Sequence, residues 1–330
     1  MSFDGALVSI VTPVLNGEST IGLCLASVAA QIHPRVEHIV IDGGSTDGTI
    51  DIVRSWARGR AVKWVSEPDE GMYDAVNRGL AMAQGDVLAY LNSDDAYLPW
   101  SAALAARGLN AGYDFAYGDL GVVRLGRGSF MPQFYPAFDL NVYAYFSSLA
   151  QPTVFWRRTA YEELGDFDHS YRLIGDCEYW LRAGAAGCSF RHLDEIMAIQ
   201  FDHGQTLRNT HREQLRREFA RMRADYRGAA GPPARWGGVR AALGWRSRML
   251  RFYASTMLRR PANWKRFISW LNQNDISARA AGLLSLFPSS MWPRAVSFAD
   301  AGRIHERLQA TLSSGPVHEV GGSPGERNTW

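Results

Sequence analysis

At 330 residues, with 46% hydrophobic and 21% charged side chains, the chain has the length and composition of one large folded domain with an appendage, which excludes wholesale disorder, collagen-like repeats and a simple coiled coil. A formal net charge of +2 sets up no global field for nucleic acid, so any basic surface must be regional. Three cysteines, Cys24, Cys177 and Cys188, lack CxxC spacing and the density of a disulfide scaffold; they fit a reducing compartment, with the cytoplasm as the expectation. Met1 to Val14 has no basic start and is interrupted by Asp4 and Pro13, and no long uncharged apolar run follows, so neither a signal peptide nor a membrane-spanning helix is expected and any membrane contact would be peripheral.

In chain order, Leu7 to Thr12 is a β-branched apolar run of the kind buried on both faces of a sheet. A helix over Thr20 to Gln31 follows, with Ile21, Leu25 and Val28 on one face, then a strand over Glu37 to Asp42 that stops at Gly43-Gly44. The rhythm continues with a helix at Thr49 to Ala57, a strand at Val62 to Ser66, a helix at Met72 to Ala83 and a strand at Asp86 to Leu91. Such alternation predicts an α/β fold with a mostly parallel sheet covered by helices, whose ligands bind beyond the carboxyl ends of the strands. Thr12-Pro13, Asp42 and Asn92 to Asp95 should therefore converge at one rim. From Tyr113 to Phe201 the pattern loosens, with strand-like DFAYGD and PTVFW, a short helix at Cys177 to Ala186 and a strand pair over Ser189 to Phe201. A charged helix over Asn209 to Tyr226 carries Leu215, Phe219 and Met222 on one face, and Gly228 to Pro233 breaks the chain. Arg235 to Ile268 then holds nine Lys and Arg, no Asp or Glu, and interleaved Trp, Phe and Tyr, whereas Ser313 to Trp330 has the Gly, Ser and Pro content of a disordered tail.

The densest chemical signal is Leu91-Asn92-Ser93-Asp94-Asp95 at the end of an apolar strand. Adjacent carboxylates repel and lose hydration there, so they are stabilised by a divalent cation, for which their hard oxygens suit Mg²⁺ or Mn²⁺ shared with a diphosphate, or by helix amides in a turn where one of them is an N-cap. The second signal, Asp42 to Thr49 (DGGSTDGT), pairs an acidic residue at a strand end with glycines that let the backbone turn tightly against a ligand. Its spacing is not GxGxxG, which disfavours a dinucleotide fingerprint, and Asp47 reads best as a helix N-cap.

The segments TPVLN (Thr12 to Asn16), VIDGGSTDGT (Val40 to Thr49), DEGMYDAVNRG (Asp69 to Gly79), LNSDD (Leu91 to Asp95) and GDCEYWLR (Gly175 to Arg182) follow the order seen in family 2 glycosyltransferases of the GT-A fold, which the chain resembles over about its first two-thirds. It resembles the non-processive branch that builds bacterial surface polysaccharides and glycolipids. The resemblance implies an inverting, metal-dependent transfer from a UDP-, GDP- or dTDP-sugar to a hydroxyl of a glycan or lipid-linked acceptor. It implies that Thr12, Pro13, Asn16, Asp42 and Gly44 line the nucleotide pocket, with Asp74 and Asn77 on the nucleotide side of the next helix. Asp94 and Asp95 match the D-x-D-type element, one on ribose or sugar and one on the Mn²⁺ or Mg²⁺ that bridges the diphosphate, although Asn92 stands where its first acid is usual. Glu70 stands where many relatives carry Lys before the glycine. Asp176 matches the catalytic base, which takes the acceptor's proton, with Glu178 as reserve, and His203 matches a loop histidine able to ligate metal or donate to phosphate.

The expected organisation is a GT-A domain over residues 1–230, a basic, aromatic helical appendage over 231–312 and a tail over 313–330. The basic tract at 235–268 either meets the inner face of the plasma membrane or packs its own aromatics with arginines outside. Two rival functions are a sugar nucleotidylyltransferase, whose Gly-rich N-terminal motif is not seen, and a non-catalytic sugar-nucleotide-binding protein, suggested by Asn92 and Glu70.

Overall fold

The computed structural model describes residues 5–124, 129–144, 148–202, 211–226 and 296–297. Its first half alternates β1 (Val8–Val14), α1 (Ile21–Ala29), β2 (Val36–Asp42), α2 (Thr49–Ala57), β3 (Val62–Ser66), α3 (Met72–Met82) and β4 (Val87–Tyr90). Every residue of β1 is buried because helices cover both faces of the sheet. The two-residue period of the strand divides it between two cores: Val8, Ile10 and Val14 pack with Ile21, Cys24 and Leu25 of α1, while Val11 packs with Val76 and Leu80 of α3. Strands β3, β2, β1 and β4 lie in that order and all parallel, as helical crossovers require.

The second half comprises β5 (Asp95–Tyr97), α4 (Ser101–Asn110), β6 (Phe115–Arg124), β7 (Ser129–Gln133), α5 (Leu140–Tyr143), a 3₁₀ turn at Gln151–Thr153, β8 (Phe155–Arg157), α6 (Arg158–Leu164), α7 (Gly175–Ala185), β9 (Phe190–Asp202), α8 (Arg212–Asp225) and β10 (Val296–Ser297). Here antiparallel pairing takes over: β8 adds to β4, β6 to β8, and β7 and β10 to the outer edge, while β9 runs parallel to β6 and antiparallel to β5. The parallel sheet that the alternation predicts is thus the β1–β4 half of a larger, mixed sheet.

Three differences from the sequence pattern have physical causes. Ser189 to Phe201 is not a strand pair; Phe190–Asp202 is one continuous strand, because the polar run His192 to Glu195 lies beside an irregularity in β6 at Tyr117–Leu120 instead of turning. Helix α4 buries Ala102, Ala105, Ala106 and Leu109, whose small side chains give a weak apolar signal. Helix α6 has seven residues and buries Ala160 alone, too little for a periodic pattern. The appendage and tail expected over 231–312 and 313–330 lie outside the described residues apart from Val296–Ser297. Among the described residues no helix is long and apolar enough to cross a membrane.

Candidate active site

The carboxyl ends of β1, β2 and β4 meet as expected: Leu91 N–H bonds the Val11 carbonyl and Gly43 N–H the Val14 carbonyl, both at 2.9 Å. Two loops close over this edge. Asn16, left-handed at φ 51°, accepts Thr46 N–H through Oδ1 at 2.9 Å, and its own N–H donates to Ser45 Oγ at 2.7 Å. Asp47 accepts Thr49 N–H at 3.0 Å and Glu18 N–H at 3.1 Å, but the N-cap of α2 is Gly48, so the aspartate expected there stands one residue before it and ties the loop instead; the Thr49 hydroxyl in particular holds its carboxyl below the usual range.

Several residues expected to line the nucleotide pocket have their side chains bonded within the protein. Asp42 is fully buried; Oδ2 accepts Gly44 N–H at 3.1 Å, Ser45 N–H at 2.9 Å and the Ser66 hydroxyl at 2.7 Å, and Oδ1 accepts the Ser45 hydroxyl. The turn it organises needs Gly44 at φ 88°, a conformation other side chains resist. Thr12 points to the α1 side, where its hydroxyl meets His38 Nε2 at 2.9 Å and Cys24 Sγ at 3.5 Å, and Pro13 is buried within β1. Burial drives His38 down to about 3, so its ring is neutral. On α3, Asp74 accepts Glu70 N–H at 3.0 Å and pairs with Arg78 at 2.8 Å, and Asn77 clasps the Phe167 backbone, donating to its carbonyl at 2.8 Å and accepting its N–H at 3.0 Å. In this arrangement Thr12, Asp42, Asp74 and Asn77 position loops and helices, and Asn16 with the glycine turn forms the exposed lip.

The Asn92–Asp95 segment ends in β5, not in a helix, so neither aspartate is a helix cap. Asn92 Nδ2 donates to Gln151 Oε1 at 3.2 Å, and Gln151 Nε2 to the Tyr90 carbonyl at 2.9 Å. Gln151, at the start of the 3₁₀ turn, was not singled out from the sequence, because nothing local marks a residue whose partners lie some sixty positions earlier. The buried Oδ1 of Asn92 has no hydrogen-bond partner among the described residues. Asp94 is half-buried; Asp95, 1% exposed, is registered with Gln200 of β9. Both lie near Cys24: burial, opposed by the Thr12 hydrogen bond and reinforced by the charges of Asp95 and then Asp94, pushes that thiol up to about 12. Two carboxylates and an amide oxygen fit a hard cation that keeps further sites for phosphate or water. No cluster of three or more His, Cys, Asp or Glu able to hold a metal occurs among the described residues, and His203 lies outside them.

Opposite stands the amino end of α7. Tyr179 and Trp180 are buried, with Phe167 stacked on Tyr179 at 4.1 Å and Trp156 edge-on to Trp180 at 5.3 Å, contacts worth about 0.5–1.5 kcal/mol each beyond area burial. Asp176, three and four positions earlier, shares their inward face and is 6% exposed. Its Oδ1 accepts the Tyr73 hydroxyl at 2.9 Å. Burial first, then the charge of Asp176, raises Tyr73 well above the ordinary tyrosine value, so it remains a donor. Burial, with the neighbouring Tyr73 and the charge of Asp176, likewise raises Tyr90, two residues before Asn92, well above the ordinary tyrosine value. Tyr73 lies within a motif the sequence reading quoted, yet its role shows only when α3 and α7 meet. Arg172, exposed, lies over Gly71 (φ 118°), where an added side chain would meet Nη1 at 2.6 Å; a cation thus stands beside this glycine although Glu70 precedes it.

Glu178, expected as a reserve base, is engaged otherwise. Arg182 holds it with two bonds, 3.0 and 3.2 Å, and the Tyr226 hydroxyl donates to it at 2.6 Å. A carboxylate so engaged braces α7 against the C-terminal end of α8, and leaves Asp176 as the first-turn carboxylate of this helix that no cation pairs among the described residues.

Residues 9–165 match the family described as Glycosyl transferase family 2. A PGL/p-HBAD biosynthesis glycosyltransferase of Mycobacterium tuberculosis is 29% identical over 209 residues, 61% of this chain and 79% of that protein. Staphylococcus aureus TarS, solved with UDP-GlcNAc, aligns at a TM-score of 0.55 with 18% identity over 82% of this chain and 80% of that one. The mannosyltransferase PcManGT of Pyrobaculum calidifontis, solved with GDP-Man and Mn²⁺, aligns at 0.50 with 19% identity over 93% of this chain and 85% of that one. These two likenesses concern the fold. Over residues 9–165 the chain matches glycosyl transferase family 2, and its fold is GT-A.

Proposed function

We propose that the chain transfers a sugar from a nucleoside diphosphate sugar to a hydroxyl of a glycan or lipid-linked acceptor, with inversion and with Asp176 as the base. The observation that carries this reading is the Tyr73–Asp176 pair, a buried carboxylate held near the β4 end that leads into Asn92–Asp95, where Tyr90 feels its charge. Asp176 takes the acceptor's proton as its oxygen attacks the anomeric carbon from the face opposite the diphosphate; the carbon–oxygen bond to the diphosphate breaks with its electron pair leaving on the nucleoside diphosphate. Asp94, more exposed than Asp95, is the residue to hold Mn²⁺ or Mg²⁺, with Asn92 and Asp95 beside it. A cation bound there would offset charge on the departing diphosphate. Asn16 and the Gly43–Gly44 turn face the nucleoside from the rim. The nucleotide sugars and Mn²⁺ carried by structures of the same fold support the donor class and the cation.

Calorimetry and diphosphate release with UDP-, GDP- and dTDP-sugars, each with Mn²⁺, Mg²⁺ or EDTA, test the reading. Metal-dependent binding of one donor with slow nucleoside diphosphate release is expected. Pyrophosphate release would instead mark a nucleotidylyltransferase, and binding without turnover in the presence of candidate acceptors a non-catalytic binder. A cytoplasmic enzyme working on a lipid-linked acceptor would gain from peripheral attachment, and the basic, aromatic 235–268 tract is the candidate for it. Arg246→Glu, Arg248→Glu and Arg251→Glu together should release the full chain from anionic liposomes; unchanged co-sedimentation discards that part.

A further inference from the structure

We propose that Glu218 of α8 is a positioning residue for the reaction, fixing the segment that delivers Asp176; this rests on Asp176 being the base. Helix α7 begins without a side-chain cap: Ile174 stands at the N-cap position and no side chain bonds the first turn there. Ten residues, Gly165 to Ile174, lead into it from α6. What holds their last part is Glu218, whose Oε1 accepts Arg172 N–H at 3.1 Å and whose Oε2 accepts Leu173 N–H at 2.9 Å. Gln214 Nε2 donates to the same Oε1 at 2.9 Å, fixing the carboxylate in turn. Glu218 is 8% exposed, an unusual setting for a glutamate on a helix otherwise rich in charged surface.

The same helix grips the segment at three more points. Tyr171 donates to Asp225 at 2.8 Å, Arg221 covers the Tyr171 ring at 4.2 Å, and Arg221 Nη2 pairs with Asp168 Oδ2 at 3.5 Å; just past the helix, Tyr226 donates to Glu178 of α7 at 2.6 Å. Met222, one turn beyond Glu218, is buried in the core that contains Tyr171 and Cys177. Leu215 and Met222 therefore flank Glu218 on one face, so the carboxylate points inward with the apolar residues. A charge-assisted pair of bonds to consecutive backbone N–H groups is a stiff restraint, and removing it leaves both donors unmatched. Because a base misplaced by about 1 Å costs on the order of 100-fold in rate, a restraint three residues before Asp176 bears on turnover more than on donor binding, which uses the opposite rim. Residues 9–165, which match the family, end before this segment, so the base is held by parts of the chain beyond them.

The test uses the full chain with Glu218→Ala and Glu218→Gln, and Glu213→Ala, which breaks an exposed pair with Arg217 on the same helix, as control. The substrate is UDP-GlcNAc or GDP-mannose, whichever the unaltered protein hydrolyses, with UDP or GDP as titrant. In Glu218→Ala, kcat per nucleotide-binding site should fall about 10- to 100-fold while nucleotide Kd stays within about twofold. Glu218→Gln, which keeps one acceptor, should fall less, and Glu213→Ala not at all. Hydrogen exchange across residues 172–178 should quicken in Glu218→Ala independently of any donor. Unchanged exchange, or a Kd that rises as much as kcat falls, overturns the proposal; if Glu218→Ala does not fold, Glu218→Gln is judged by the same split. Near-normal turnover in Asp176→Asn would remove the base assignment itself, whereas an inactive Asp176→Asn beside a normal Glu218→Ala would remove only the role of Glu218.

Discussion

At the ends of β1 and β2, polar groups are tied to neighbouring loops: Asp42 to Gly44, Ser45 and Ser66, Asn16 to Thr46, Asp47 to Thr49. In the half built from β6, β8, β9, α7 and α8, the decisive bonds reach across the chain, 103 positions from Tyr73 to Asp176 and 46 from Arg172 to Glu218. The loops at β1 and β2 form a preformed cradle whose polar groups satisfy one another, so its geometry survives without ligand. The second half places the Asp176 carboxylate by converging helices, so its geometry depends on packing at a distance. A rigid donor side and an adjustable acceptor side are what a transferase needs if one donor is to meet acceptors of differing shape.

The largest test of this division removes the acceptor-side carboxylate. Asp176→Asn keeps the shape and the Tyr73 contact but cannot accept a proton, so transfer should fall by about 10²- to 10⁴-fold with nucleotide affinity unchanged. Near wild-type turnover would take Asp176 out of the chemistry. The donor-side counterpart is Asp94→Ala, which should weaken nucleoside diphosphate binding in Mn²⁺ by about 10- to 100-fold and leave binding in EDTA untouched. A Mn²⁺-dependent gain in affinity that persists undiminished in Asp94→Ala would assign the cation elsewhere.

The same division explains how far the sequence could be read. Strands β1, β2 and β4 follow from short apolar runs buried almost throughout, helices α1 to α3 from apolar residues spaced for one face, and the Asp47–Thr49 turn from a partner two residues away. Thr12 and Asp42 are polar residues at the right rim whose side chains face inward, a matter of which alternate face a strand turns to its helix, and Asn77 turns from α3 to the Phe167 backbone; no motif states either. Tyr73, Gln151 and Glu218 were not legible, since each acquires meaning from a partner far along the chain. Asp176 was found through the motif that carries it, and its partner was not.

A pH test probes the cradle alone. His38 is neutral when buried and reaches its folded value only at about 3, whereas the unfolded chain takes up a proton near 6.5. Below 6.5 the unfolded state therefore binds more protons, and His38 alone should lower stability by about 1.4 kcal/mol per pH unit, or about 2 kcal/mol between pH 6.5 and 5. Urea unfolding across that range should show the loss, and His38→Gln should flatten it. An unaltered slope in the variant would mean that another group carries the acid sensitivity and that the Thr12–His38 contact is not sealed from water.

The smallest effect lies where the halves join. Asn77 belongs to α3 of the cradle but clasps both backbone groups of Phe167, whose ring stacks on Tyr179 of α7. Asn77→Ala should cost about 1–2 kcal/mol in unfolding, because two backbone groups lose a partner in a partly buried place where water replaces it incompletely. Asn77→Asp should be no better, since it retains an acceptor for the Phe167 N–H but sets a carboxylate against the Phe167 carbonyl. Matching urea midpoints for all three proteins would show that the aromatic stack around Phe167 joins the halves by itself, and the acceptor side would then be free to shift as a packed body against the cradle.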